Sequence, residues 1–201
     1  IFDEYTGLSS SELTFEEIDR LRPDVYRMQS QESEELLFKK VHDKYYWIND
    51  KQTLFPAEIS KGVLYFIRNP FDVLVSFAYH SSKPVNEMIT SLNNPNFAFC
   101  KTKDKLQNQL RQIIGTWSDH VKTWTEQDEI PVHIIRYEDM KNNTEVAFSK
   151  AVEFIGLEKT ESQIKDAIQK SDFSVLSNQE KESGFKEKMT KSTSFFRKGK
   201  I

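Results

Sequence analysis

The chain has 201 residues, 37% hydrophobic and 12% aromatic, which is enough apolar surface for a core and excludes a disordered tail or a small stapled scaffold. The net charge of −3 argues neither for nor against a nucleic-acid partner, and no nucleic-acid site is predicted. Cys100 is the only cysteine, which excludes a disulfide framework and a cysteine zinc site. With no apolar run long enough for a membrane span and no signal-peptide pattern, we expect a cytoplasmic protein.

The first part of the chain predicts helices followed by two strands. A capping-box pattern at 14–17 begins a helix that Pro23 is expected to interrupt, and a second helical stretch runs to about residue 31. Residues 36–41 are predicted to form a strand. The continuous apolar run 63–67 is rich in β-formers and predicts a buried parallel strand.

The rest of the chain alternates helices with one more strand. Asn69 fits an N-cap and Pro70 the first position of a helix that runs to about residue 79. The later elements predicted are a short helix within 81–102, an amphipathic helix over 103–126, a strand over 131–135, and helices over 144–155, over 162–170 and after Asp172. This alternation implies an α/β fold with a parallel sheet, and with no repeat or linker we treat 1–201 as one domain.

Ligands of parallel sheets bind beyond the carboxyl ends of the strands. Arg68 follows the second strand and directly precedes a helix N-terminus, and both features favour a phosphate or sulfate. Ser76 lies about two turns further on, on the same face of that helix. Pairing of Arg68 with Asp72 beside an ordinary helix is the alternative, and the spacing leaves both open.

The glycine and charge patterns also bear on whether the chain binds a phosphate or sulfate. The six glycines fit neither G-x-G-x-x-G nor the Walker spacing, so the chain carries no glycine-rich phosphate loop. Residues 181–200 hold seven basic and two acidic side chains, which fits either a solvated basic tail or a site for a multiply anionic ligand. No His, Asp and Glu set has metal-ligand spacing, so no metal is predicted.

Several stretches together resemble the sulfotransferases that use 3′-phosphoadenosine 5′-phosphosulfate (PAPS). The segment 65–76 resembles their R-N-P-x-D-x-x-x-S signature, and 38–42 resembles their K-[TV]-H element. The further matches, in the order expected, are a W-x-x-H-V helix at 117–121, a Y-E-D element at 137–139, a T-S-F-like stretch at 171–173 and the start of R-K-G-x-x-G at 197–199. The resemblance runs from about residue 36 to the end of the chain.

The resemblance implies a three-layer P-loop-type sulfotransferase fold with a central parallel sheet. Nothing in the sequence matches the family's Y-P-K-S-G-[TN]-T-W loop, and the R-K-G element stops before its second glycine. We therefore expect a domain that is incomplete at both ends and lacks its first strand, loop and helix. The implied reaction moves the sulfuryl group of PAPS to a hydroxyl or amine of a small-molecule acceptor, which the sequence does not identify, and it needs no metal. The oligomeric state is equally open.

The resemblance also implies residue roles. His42 becomes the general base, and Lys40 stabilises charge on the transferring group, with Lys39 competing for that role. The residues implied to bind the cofactor are Arg68, Ser76, Arg197, Lys198 and Gly199 at the 3′-phosphate, and Tyr137, Ser171 and Phe173 near the adenine.

Each role has a structural alternative. His42 and Lys40 fit surface positions after a strand, Tyr137 fits a strand cap, and Phe173 fits a core position. The rival function is a non-catalytic fragment or pseudo-enzyme that keeps only the 3′-phosphate half of the cofactor site.

Overall fold

The computed structural model describes residues 2–100, 110–186, 188, 194–197 and 199. The helices among them are α1 (Phe2–Thr6), α2 (Phe15–Gln31), α3 (Pro70–His80), α4 (Val85–Leu92), α5 (Trp117–Glu126), α6 (Tyr137–Asn142), α7 (Thr144–Phe154), α8 (Glu161–Lys170) and α9 (Phe173–Ser183), with a 3₁₀ turn at Ala57–Ile59. The strands are β1 (Trp47–Asn49), β2 (Gln52–Thr53), β3 (Val63–Ile67), β4 (Ala98–Phe99), β5 (Gln112–Ile113) and β6 (Val132–Arg136).

The chain divides into two compact units, each built from two stretches of sequence. The first unit comprises Ile1–Lys61 and Leu92–Pro131. The second unit comprises Gly62–Ser91 and Val132–Ile201. Among the described residues, the buried apolar side chains of the first unit are Ile18, Val25, Tyr45, Leu54, Phe55, Trp124 and Ile130, and those of the second are Tyr65, Ala78, Met88, Ile135, Ala151, Val152 and Ile164. Each unit therefore has apolar side chains of its own to bury.

Helix α2 begins at the predicted capping box. Glu17 donates its backbone N–H to the Thr14 hydroxyl at 3.3 Å, and its carboxylate accepts the Thr14 N–H at 2.8 Å. The predicted interruption at Pro23 is wrong, because the helix runs unbroken over 17 residues. A proline removes one helical hydrogen bond, but Pro23 lies on the buried face with Ile18 and Val25, whose burial holds the helix together.

The region before α5 also differs from the prediction of one long helix over 103–126. The helix begins at Trp117 after its N-cap Thr116, and Gln112–Ile113 form β5, antiparallel to β4. Non-local hydrogen bonds decide this, since Lys44 donates its backbone N–H to the Ile113 carbonyl at 2.8 Å. Gly115, with φ of +68°, then turns the chain into α5. Residues 103–109 of the predicted helix lie outside the described residues.

The strand predicted at 36–41 does not form. These residues have no ladder partner in the described part of the chain, and Leu37 and Phe38 are exposed at 45% and 65%. An apolar run becomes a strand only where another strand pairs with it, and that condition cannot be seen locally. The antiparallel pair β1–β2 follows instead, six residues further along.

The second unit contains the predicted parallel pair. β3 and β6 pair from Val63↔Val132 to Ile67↔Arg136, and α3 follows β3 while α6 follows β6. The predicted strands and the predicted helix after Asn69 are thus confirmed within one or two residues. A parallel pair with helices after its strands confirms the α/β class. It also brings the ends of β3 and β6 to the same edge of the sheet.

Candidate functional site

The junction between β3 and α3 is a position where anions are favoured. The Asn69 side chain accepts the Phe71 N–H at 3.0 Å, and Pro70 occupies the first helical position, as predicted. The unpaired N–H groups of a helix start and the positive end of its dipole attract negative charge. Because Ile67 pairs with Arg136, the end of β6 lies beside this helix start.

Arg68 and Tyr137, which the resemblance assigns to different parts of one cofactor, lie together at this junction. The Arg68 guanidinium stands 4.0 Å above the centre of the Tyr137 ring. Its Nε also lies 3.5 Å from the Asp72 carboxylate, so the Asp72 pairing that the sequence left open is present as well. The Arg68 side chain is 26% exposed, and Ser76 is exposed on α3.

Glu138 shows that the start of α3 does attract a carboxylate. It accepts the Asn69 N–H at 3.4 Å. Its own backbone N–H, that of Asn69 and the charges of Arg136 and Arg68 hold the pKa of this carboxyl below its ordinary value. The junction therefore combines cationic side chains and helical N–H groups with carboxylates that compete for them.

The segment that carries Arg197 packs within the same unit. The Arg197 guanidinium stands 3.7 Å above the Tyr79 ring, near the end of α3. Gly199 has φ of +56°, and a Cβ there would lie 2.5 Å from the Phe173 ring, so both backbone conformation and space restrict this position to glycine. Lys198, predicted with them, lies outside the described residues.

Ser171 and Phe173 stand at the joint between α8 and α9. The Ser171 hydroxyl donates to the Ala167 carbonyl in the last turn of α8. The Phe173 ring meets the Phe196 ring edge-on at 6.1 Å and also faces Gly199. These contacts bring Phe173 and Gly199 together, and Phe173 is half-buried, so part of its ring packs within the chain and part is accessible.

His42 and Lys40, the residues predicted for catalysis, lie in the first unit. Both are exposed, and the His42 ring meets the edge of Phe99 at 5.8 Å. The Lys39 ammonium donates to the Gln29 side chain on α2 at 2.6 Å, which ties Lys39 to that helix. This contact favours Lys40 over Lys39 for the predicted role, which stays a prediction.

The backbone carbonyls of His42 and Asp43 are both held by side chains of α5, the half-buried His120 and the buried Trp124. His120 Nε2 lies 3.2 Å from the His42 carbonyl, and Trp124 Nε1 donates to the Asp43 carbonyl at 3.0 Å. The Asp43 carboxylate, in a residue 1% exposed, accepts the Ile113 N–H at 2.8 Å. Burial lowers the pKa of His120, which keeps its imidazole neutral at pH 7.

A buried arginine pairs with Asp43. Arg22 of α2, 4% exposed, places its Nη2 2.8 Å and its Nη1 3.3 Å from the two carboxylate oxygens. Burial alone would lower the pKa of Arg22, but the hydrogen bonds and charge of Asp43 raise it above its ordinary value. Arg111 extends the network by bonding Asp19 and by reaching Glu16 at 2.8 Å.

Comparison with known proteins gives these sites a context. Residues 19–201 match the family profile described as "Sulfotransferase domain", which covers most of the chain. The chain belongs to the sulfotransferase domain family. Each motif predicted from the sequence lies within the matched residues.

Individual sulfotransferases resemble the chain over part of its length. Sulfotransferase 1E1 of Mus musculus is 33% identical over 130 residues, 62% of this chain and 41% of the relative. Sulfotransferase 6B1 of Danio rerio is 28% identical over 144 residues, 69% of this chain and 44% of the relative. The crystal structure of mouse sulfotransferase SULT7A1 complexed with PAP is 23% identical with a TM-score of 0.49, covering 70% of this chain and 50% of that one. The chain thus spans less than half the length of these curated relatives.

Sequence reasoning missed two groups in this sulfotransferase domain. The first is the pair of Asp43 and Arg22, to which the sequence analysis assigns no role. A signal existed, because Arg22 lies four residues after Ile18 and three before Val25, on the apolar face of α2. Glu180, which binds the backbone of the Arg197 segment, follows no motif, and nothing local marks it.

The described part of the domain lacks two further kinds of feature. Among those residues, no group of three or more His, Cys, Asp or Glu side chains is placed to hold a metal ion. No described helix is both long and apolar enough to cross a membrane.

Proposed function

We propose that this chain is part of an enzyme that transfers the sulfuryl group of PAPS to a hydroxyl or amine of a small molecule. Membership of the sulfotransferase domain family carries the proposal. One relative is named as an amine sulfotransferase, which supports an amine as one of the two acceptor classes. The single cysteine fits a reducing compartment, so we place the proposed enzyme in the cytoplasm.

The residues of the second unit fit the 3′-phosphate end of PAPS. Arg68 offers a guanidinium beside the N–H groups that begin α3, and Ser76 adds a hydroxyl on the same helix. Arg197 offers a second guanidinium in this unit. Glu138 already uses the helix start as an anion site, which supports the assignment. In the proposal, Tyr137, Ser171 and Phe173 contact the adenine, and Lys198 and Gly199 contact the phosphate.

The residues of the first unit fit the proton-transfer role. When bound, PAPS supplies the sulfuryl group, which passes to the acceptor atom as its bond to the 5′-phosphate oxygen breaks. His42 takes the proton of the acceptor on a ring nitrogen and so prevents a positive charge from building on the acceptor. Lys40 holds a positive charge two residues away, which stabilises negative charge developing on the transferred group.

The test compares two ligands that differ only in the 3′-phosphate. We expect 3′-phosphoadenosine 5′-phosphate (PAP) to bind at least about tenfold more tightly than adenosine 5′-phosphate, since a charge-assisted hydrogen bond contributes about 1.5–3 kcal/mol. Arg68→Ala is expected to remove most of that difference. Isothermal titration calorimetry measures both dissociation constants.

Arg20→Ala provides the matched control, because Arg20 is an exposed arginine of α2 with no role in the proposal. It is expected to keep the wild-type preference for PAP. Equal affinity of the wild-type chain for the two ligands, or a full preference retained by Arg68→Ala, contradicts the assignment of Arg68.

A further inference from the structure

The carboxylate of Glu180 binds two consecutive backbone amides from a distant part of the chain. Glu180 lies on α9, and its Oε1 accepts the Phe195 N–H at 2.6 Å while its Oε2 accepts the Phe196 N–H at 2.9 Å. The residue is 7% exposed. The two N–H groups and the charge of Lys188 hold the pKa of this carboxyl below its ordinary value, so it is ionised at neutral pH.

Aromatic contacts also hold the segment 195–197, through its side chains. The Phe195 ring meets His80 edge-on at 6.0 Å and Phe185 at 4.5 Å. The Phe196 ring lies 5.1 Å from that of Phe185. Arg197 follows directly, with its guanidinium 3.7 Å above Tyr79. The backbone preceding Arg197 is therefore held by α9, and the side chains of Phe195 and Arg197 contact the end of α3.

A buried carboxylate whose partners among the described residues are two backbone N–H groups is not explained by packing alone. Burying a charged group is unfavourable unless hydrogen bonds satisfy it, and an apolar residue would fill the same space without that penalty. The carboxylate also orients the backbone, because each of its two oxygens accepts a hydrogen bond from one of two successive peptide groups. Because Arg197 follows these two peptide groups directly, their orientation determines where its side chain points.

We infer that Glu180 is a positioning residue that aims Arg197 and the backbone of Gly199 at the 3′-phosphate of the nucleotide. The inference rests on the proposed function, because it assumes that this segment meets that phosphate. Glu180 itself touches no ligand in this account. It acts only through the two peptide groups it holds.

The experiment measures binding of PAP and of adenosine 5′-phosphate to the wild-type chain, to E180Q and to E182Q. In E180Q an amide NH₂ faces a backbone N–H donor, so one of the two bonds is lost. We expect the dissociation constant for PAP to rise about tenfold, the size of one charge-assisted hydrogen bond, and that for adenosine 5′-phosphate to change less than about twofold. E182Q removes the same charge from an exposed position on the same helix and is expected to match the wild type.

The ratio of the two dissociation constants separates positioning from a general effect on folding, which would weaken both ligands alike. A wild-type ratio near one contradicts the proposed function itself. A wild-type preference for PAP that E180Q retains in full overturns the role of Glu180 and leaves the proposed function standing.

A measurement on the wild-type chain covers the case in which E180Q does not fold. Hydrogen exchange followed by mass spectrometry is expected to show the Phe195 and Phe196 amides protected, and more so with PAP than with adenosine 5′-phosphate. Exchange of both amides at the rate of an unstructured peptide, with and without PAP, overturns the inference.

Discussion

At the scale of single residues, His42 combines an exposed side chain with a fixed backbone. Its ring is exposed, whereas its own carbonyl lies 3.2 Å from His120 Nε2 and the carbonyl of Asp43 accepts a hydrogen bond from Trp124 Nε1. A general base works best when its approach to the proton is set beforehand and its ring can still meet the acceptor. The buried pair of Asp43 and Arg22 provides that fixed attachment from the next residue along the chain.

Replacement of His42 is predicted to affect the chemistry and not cofactor binding. In the full-length enzyme, His42→Ala is expected to lower the turnover number by about 10²–10⁴-fold, the usual contribution of a general base. The dissociation constant for PAP is expected to stay within about twofold of the wild type. Transfer of radiolabelled sulfate from PAPS to a panel of hydroxyl and amine acceptors measures the first, and calorimetry the second.

Lys39→Ala is the control for this prediction, because Lys39 lies three residues away and its ammonium is bonded to Gln29 on α2. It is expected to keep turnover close to the wild-type value. Normal turnover in His42→Ala would remove the histidine from the proposed role.

At the scale of secondary structure elements, two of the three arginines of α2 have opposite environments. Arg22 faces inwards and pairs with Asp43, with side-chain exposures of 5% and 0%. Arg27 faces outwards and pairs with Asp24 and Glu58 at 2.8 and 2.7 Å. Removing one partner of a buried pair leaves an uncompensated charge in the interior, whereas removing one from an exposed pair exposes a charge to water.

Arg22→Met is therefore predicted to lower the free energy of unfolding by about 3–5 kcal/mol, because it leaves the buried Asp43 carboxylate without its charged partner. Arg27→Met, the same change on the same helix, is expected to lower it by no more than about 1 kcal/mol. Urea unfolding followed by circular dichroism measures both. Equal effects of the two substitutions would show that burial of the Arg22–Asp43 pair does not matter to stability.

The elements that were predictable are those with complete local signals. The strand 63–67, the cap at Asn69 and the proline after it mark both ends of their elements within a few residues. The same signals led to the Arg68 junction, and that part of the candidate site was predictable from sequence. The alternative partner Asp72 was predictable too, since it lies four residues from Arg68.

The elements that were not predictable depend on partners far away in sequence. Asp43 binds the backbone of Ile113, and Lys44 binds its carbonyl, so the chain is extended there instead of helical. The apolar residues at 36–41 lack the strand partner that their composition alone suggested. In the second unit, Glu180 finds its two amides 15 and 16 residues further along. No local pattern reports such pairings.

At the scale of the whole molecule, pH is expected to act through groups with shifted pKa values. Hydrogen bonds lower the pKa of several carboxyls, which are those of Glu17, Glu58, Glu138, Asp172 and Glu180. Each such group stabilises the fold above its unfolded pKa, and that stability is lost as the pH falls through the lower folded pKa. His120 also makes the fold less stable as the pH falls, because burial lowers its pKa and the unfolded chain therefore takes up the proton at a higher pH than the folded chain.

The melting temperature is therefore predicted to be constant between about pH 7 and pH 8 and to fall in two stages below about pH 7. The first decline begins near pH 6.5, the ordinary pKa of histidine, and the second near pH 4.5, that of glutamate. His120→Asn is expected to remove the first stage and leave the second. Thermal melts in overlapping buffers test this, and a maximum of stability below pH 5 would contradict it.

The parallel pairing of β3 with β6 has a consequence for how the chain can be divided. The residues between Ile67 and Val132 leave the second unit after Ser91, supply part of the first unit and return. No single cut therefore releases the second unit, proposed to bind the cofactor, as one continuous piece. A stand-alone version needs an artificial linker from Ser91 to Val132, and linker length would then set the entropy lost on closing the loop. Varying the linker length would therefore vary the stability of the excised second unit, and its affinity for nucleotide would show how much of the binding it provides by itself.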